Sequence, residues 1–172
     1  MDTLGLIDDA TARLAVAVER LTDEDIAAPS LLPGWTRGHV ITHVARNADA
    51  LRNLLVWART GVETPSYPSQ AARDAGIEAD ARRSPAELAA DVRESGAAFS
   101  AEAAILPERA RQVMVSLLDA VEFPAERLLP RRLVEVELHY TDLGCGYTRA
   151  DWPAEFAELD LPEPMRGFRS TR

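Results

Sequence analysis

Apolar residues recur at helical spacing in four stretches of the chain. Over residues 3–21, Ile7, Leu14, Val18 and Leu21 share one face while Asp8, Asp9, Arg13, Glu19 and Arg20 fall between them, which predicts an amphipathic helix. Residues 22–34 read as a connector, with Pro29 and a Pro33-Gly34 turn signal. Thr36 is placed to cap a long second helix to about Ala58, with Val40, Val44, Leu51 and Leu55 as its core stripe. Residues 61–83 look loop-like, with weak helical character after Gln70. A third helix opens at Ser84: Pro85 suits the first helical position, Glu87 completes a capping box, and Leu88, Val92 and Phe99 point inward until Pro107 stops the element. Gln112–Leu118 is apolar and β-branched enough for a short extended segment. A fourth helix follows over about Arg131–Leu143, between Pro130 and the glycines at 144 and 146. A short further helix is expected after Trp152-Pro153. The pattern predicts an all-α four-helix bundle with long connections over residues 1–158, and a flexible tail over 159–172.

Composition narrows the function classes. The chain has 172 residues, enough for one domain with a sizeable core. Its net charge of −9 is spread along the chain and would repel nucleic-acid phosphates. All 19 basic residues are arginine, a bias that reads as codon usage rather than function. No apolar run has the length to span a bilayer, and the N-terminus lacks the pattern of a secretory signal. The single Cys145 cannot form an internal disulfide. The expected compartment is therefore the cytoplasm, with neither nucleic acid nor membrane as a partner.

Chemistry concentrates on the three histidines. His39 and His43 lie four apart in the second helix, and Glu135 and His139 lie four apart in the fourth, so each pair shares a helical face. If those helices are neighbours, His43, Glu135 and His139 form a two-nitrogen, one-oxygen set of the kind that holds catalytic zinc and leaves a fourth position open. Iron, nickel or manganese would also suit it. The plainer readings stand beside this one: a histidine on a helix is commonly a core or surface residue, and Glu135 with His139 would also serve as a helix-stabilising pair. Glu137 reads as a solvated charge, Trp35 and Trp57 as core anchors, and Cys145 as an inert thiol.

A resemblance sharpens the choice. Leu32–Leu51 (LPGWTRGHVITHVARNADAL) and Arg132–Gly144 (RLVEVELHYTDLG), followed by Gly146-Tyr147 and Trp152-Pro153, resemble the signature of the mycothiol-dependent maleylpyruvate isomerase family, within the DinB-like metal-binding bundles. The likeness runs to about Phe156. It implies a divalent ion, with zinc expected, on His43, Glu135 and His139. His39 falls on a residue that supports the site or the fold rather than ligating. The resemblance also implies that the ion binds the sulfur of mycothiol, and that the thiolate adds to the double bond of maleylpyruvate. Rotation and elimination then give fumarylpyruvate and return the thiol. A mycothiol S-transferase would share the first step. Members acting as the isomerase carry a further C-terminal domain, whose substrate-anchoring groups this chain is expected to lack.

Near these residues, Arg46 and Asn47 follow His43 by three and four positions. Arg46 is a candidate for a carboxylate of substrate or cofactor, with an exposed salt bridge as the alternative. Asp142, one turn past His139, is a candidate to orient a ligand imidazole. Two other function classes remain open at this stage: a non-catalytic bundle that binds a metal, ligand or partner, and a metal-dependent hydrolase that would need no thiol. A homodimer is among the possible assemblies.

Overall fold

The computed structural model describes residues 2–118 and 121–172. Its described residues contain eight α-helices and two short strands: α1 (Thr3–Val18), α2 (Asp23–Ala27), α3 (Arg37–Thr60), α4 (Gln70–Asp80), α5 (Pro85–Ala104), β1 (Met114–Ser116), β2 (Glu122–Pro124), α6 (Leu128–Asp142), α7 (Ala154–Ala157) and α8 (Met165–Ser170). α1 packs against α5 and α6, and α3 packs against the same two helices. The four therefore close into a ring with α1 opposite α3, the expected bundle.

Local chemistry explains the boundaries. The Thr36 hydroxyl accepts from the backbone N–H of His39, and the His39 ring nitrogen accepts in return from Thr36, so α3 opens on a capping box. Ser84 and Glu87 form the equivalent box at α5, behind Pro85. Gly61, with φ +75°, closes α3 in the left-handed conformation that glycine adopts without penalty. Gly38 serves a different need: a Cβ there would lie 1.9 Å from the Ala81 carbonyl, so its lack of a side chain lets the end of α4 rest directly on α3.

The core runs through every stripe residue named above except Leu21, which is partly buried beyond the end of α1. Three elements depart from the sequence reading. Residues 22–34 contain α2, capped by Thr22 and Asp25. Residues 61–83 contain α4, capped by Ser69, whose one buried side chain is Ile77. α6 begins at Leu128 rather than at Arg131, with Pro130 in its first turn, where a missing N–H leaves no hydrogen bond unmade. The extended segment expected within 112–118 is β1, which pairs antiparallel with β2.

Two expectations need correction. Residues 159–172 are packed onto the bundle: Leu161 and Met165 are buried in the core, and α8 rests against α6. The segment has few apolar side chains, and of these Leu161 and Met165 carry the packing while Phe168 stays half exposed. Glu137 is not a solvated charge either. It is 1% exposed, accepting from Arg13 Nη2 of α1 at 2.6 Å and from the Tyr147 hydroxyl at 2.6 Å.

Arg132 joins α6 to α3 at mid-height. It is fully buried, and its Nη1 donates to the Val44 carbonyl at 2.7 Å and to Asn47 Oδ1 at 3.1 Å. Burial pushes its pKa down to about 10, so it remains charged at neutral pH. No helix among the described residues is long and apolar enough to cross a membrane.

Candidate metal centre

The α3–α6 seam brings His43, Glu135 and His139 together. Glu135 Oε2 lies 3.3 Å from His43 Nε2 and 3.3 Å from His139 Nε2. One ligand atom from each residue falls within 4.8 Å of the others. A tetrahedral ion with bonds of about 2.0–2.2 Å separates its ligand atoms by about 3.4 Å, so the two shorter edges already match. The imidazole rings of His43 and His139 meet edge to face, with centroids 4.8 Å apart.

Hydrogen bonds behind the ligands orient them. His139 Nδ1 lies 2.9 Å from Asp142 Oδ2, which leaves Nε2 facing Glu135. Arg172 in turn donates to both Asp142 oxygens, at 2.6 Å through Nε and 3.1 Å through Nη2. Trp35 presents its ring edge to His43 at a centroid distance of 5.5 Å. Arg73 Nη2, from α4, lies 3.3 Å from His43 Nδ1. Arg73 can only donate, so this contact uses the Nδ1 lone pair of His43.

The electrostatics follow from the same contacts. Burial alone would raise the Glu135 pKa, but hydrogen bonds from His139 and His43 outweigh it and hold the carboxyl well below its ordinary value. Burial disfavours the His139 cation as well; Asp142 and Glu135 overcome this and lift it to about 9. His43 is held below its ordinary value, chiefly by burial. A carboxylate between two imidazoles suits a divalent cation, with protons holding the same space in its absence.

The set opens onto a cleft of about 450 Å³. Its polar wall includes Asn47, Tyr67, Gln70, Arg73, Arg131 and Arg172, and its apolar wall includes Leu117, Val134, Leu138 and Phe168. Of the other residues named from the sequence, Asn47 lines the cleft while accepting from Arg132, and Asp142 lies against the His139 ring at 2.9 Å. Arg46 is turned away: it donates to Asp91 at 2.5 Å and pairs with Asp49 at 3.2 Å, the salt-bridge alternative. His39 belongs to the α3 cap and reaches Glu78 at 3.0 Å, touching none of the three ligands. Trp35 is a wall of the site as well as a core contact, and Trp57 packs at the core edge. Cys145 is exposed in its turn and does not line the cleft.

Tyr67, Arg73, Arg131 and Arg172 were not anticipated. Arg131 carried a signal, standing one helical turn before Glu135 on the same face. The others arrive from α4, its preceding loop and the C-terminal segment, where no periodicity pointed inward.

Residues 7–144 match the family model described as the mycothiol maleylpyruvate isomerase N-terminal domain. Two solved structures, one of a mycothiol-dependent maleylpyruvate isomerase and one of a histidine mutant of it, superpose with a TM-score of 0.83 at 34% identity. Each alignment covers 90% of this chain and 65% of the solved chain. No curated protein matches the chain by sequence.

Proposed function

The chain belongs to the mycothiol maleylpyruvate isomerase N-terminal domain family, and on that footing we propose that it is a zinc-dependent enzyme that uses mycothiol to isomerise a maleylpyruvate-like substrate. The observation that carries the metal half of this reading is the 3.3 Å spacing of two imidazole nitrogens about one carboxylate oxygen at the floor of a cleft. Three protein ligands leave one position for an exogenous group, the arrangement of catalytic rather than structural zinc. The bound ion would supply acidity, taking a thiol of pKa about 8.5 to its nucleophilic form at neutral pH.

The chain's own residues hold and orient. His43, Glu135 and His139 would hold the ion, and Asp142 would keep the His139 ring in the tautomer that offers Nε2. Tyr67, Arg73 and Arg131 face the remaining cleft volume, while Leu117, Val134, Leu138 and Phe168 restrict water there. An S-transferase would use the same activated sulfur, and differs only in releasing the conjugate.

Metal analysis of the purified protein beside His43→Ala and His139→Ala, followed by an assay of maleylpyruvate with and without mycothiol, tests the reading. Stoichiometric zinc lost in both variants, with thiol-dependent turnover in the wild type, is the expected result. Turnover without thiol would favour a hydrolase. Wild type that takes up no zinc, nickel or iron would overturn the metal centre and leave a non-catalytic bundle.

A further inference from the structure

A chain of net charge −9 lines this cleft with three guanidinium groups, Arg73, Arg131 and Arg172, against the single carboxylate of Glu135. Most of these charges are already answered. Arg73 pairs with Asp74 at 2.8 Å, Arg172 with Asp142 at 2.6 Å, and Glu135 with both histidines.

Arg131 is different. No carboxylate among the described residues pairs with it, and its Nε is buried without a hydrogen-bond partner. Its guanidinium is nevertheless held in place, 5.0 Å from the centroid of the Phe123 ring. One other polar atom of the cleft wall shares this condition: the Tyr67 hydroxyl is buried and unpartnered. Burial pushes the Tyr67 pKa up to about 12, so it keeps its proton and can donate.

A buried donor left unpaired is costly, and an arginine fork stacked on an aromatic ring is preorganised for a planar carboxylate. The unspent capacity of the cleft wall is therefore that of donors, which calls for a ligand bringing oxygen acceptors. We propose that Arg131 and Tyr67 form the substrate subsite of the cleft, with Arg131 binding a carboxylate and Tyr67 donating to a further oxygen of the same dicarboxylate-type molecule. This rests on the enzymatic reading above and adds the residues that select its substrate. Arg131 stands four residues before Glu135, so its backbone lies about 6 Å along α6 from that of the candidate ligand, and both side chains line the same cleft.

The test is calorimetric titration of maleate into zinc-loaded wild type, Arg131→Gln, Arg131→Lys and Tyr67→Phe, with zinc content and mycothiol binding measured on the same samples. The expected result is maleate affinity lowered about tenfold or more in Arg131→Gln, partly restored in Arg131→Lys, which keeps charge without the fork, and lowered several-fold in Tyr67→Phe. Zinc content and mycothiol affinity should stay at the wild-type level. Maleate that fails to bind the wild type, or binds Arg131→Gln within twofold of it, overturns the subsite. If zinc or mycothiol fails to bind while maleate binding still depends on Arg131, the enzymatic reading falls and the anion site stands.

Discussion

Asp142 accepts from the imidazole of His139 at 2.9 Å, so one turn of α6 holds both a candidate ligand and the carboxylate behind it. The pairing is sequence-local, three residues apart, and needs no other element to form. Its partner on the far side, Arg172, comes from the C-terminal segment and anchors the carboxylate in turn.

Replacing Asp142 should therefore weaken metal binding without unfolding the bundle. Asp142→Asn is expected to lower zinc affinity about 10–100-fold, the usual effect of losing a carboxylate behind a ligating histidine. Competition with a chromophoric chelator measures it, and unchanged affinity would mean that the His139 tautomer is set elsewhere.

The two neighbouring glutamates of α6 should separate cleanly. Glu135→Ala is expected to abolish stoichiometric zinc. Glu137→Ala should keep zinc and cost about 1–3 kcal/mol of stability in urea unfolding, because Tyr147 and Arg13 lose their shared acceptor. Arg13→Ala should also cost stability, since it leaves the buried Glu137 carboxylate without its cation.

Zinc removal should lower the melting temperature through mass action alone. At a free ion concentration a thousandfold above Kd, binding contributes about 4 kcal/mol, which for a chain of this size is roughly 8–16 °C. Chelation should produce that drop in wild type and little change in His43→Ala, read by scanning calorimetry.

Gly38→Ala should destabilise the fold by about 1–3 kcal/mol or more, because its Cβ would meet the Ala81 backbone carbonyl, which cannot swing aside as a side chain can. Gly76→Ala on α4 meets nothing within 4 Å and should be neutral or mildly stabilising. Paired denaturant curves for the two variants check the contrast.

The parts legible in the sequence are those written in local chemistry. Thr36 and Ser84 announced the starts of α3 and α5 because a cap needs only its own first turn. His43, Glu135 and His139 could be grouped because four-residue spacing puts side chains on one face, and the resemblance joined the two helices. α4 shows only weak helical character in the sequence because a single large apolar residue, Ile77, marks its inner face. Glu137 looks solvated in the sequence for a related reason: the partners that accompany its burial, Arg13 and Tyr147, are not its helical neighbours. The cleft arginines and Tyr67 share that dependence on assembly. Arg46, beside His43 in sequence, went instead to Asp91, which only the α3–α5 packing brings near.

Arg132 has a consequence beyond joining two helices. The ligand triangle spans two rods of the bundle, so the gap between His43 and Glu135 is a dimension of the hydrophobic interior, gauged by a buried fork resting on Val44 and Asn47. Ion preference at the proposed centre would thereby be tunable from below the site. Substitutions along the α3–α6 seam that widen or narrow the gauge would change the spacing of the three side chains, and so the radius of the ion they suit, without replacing any of them.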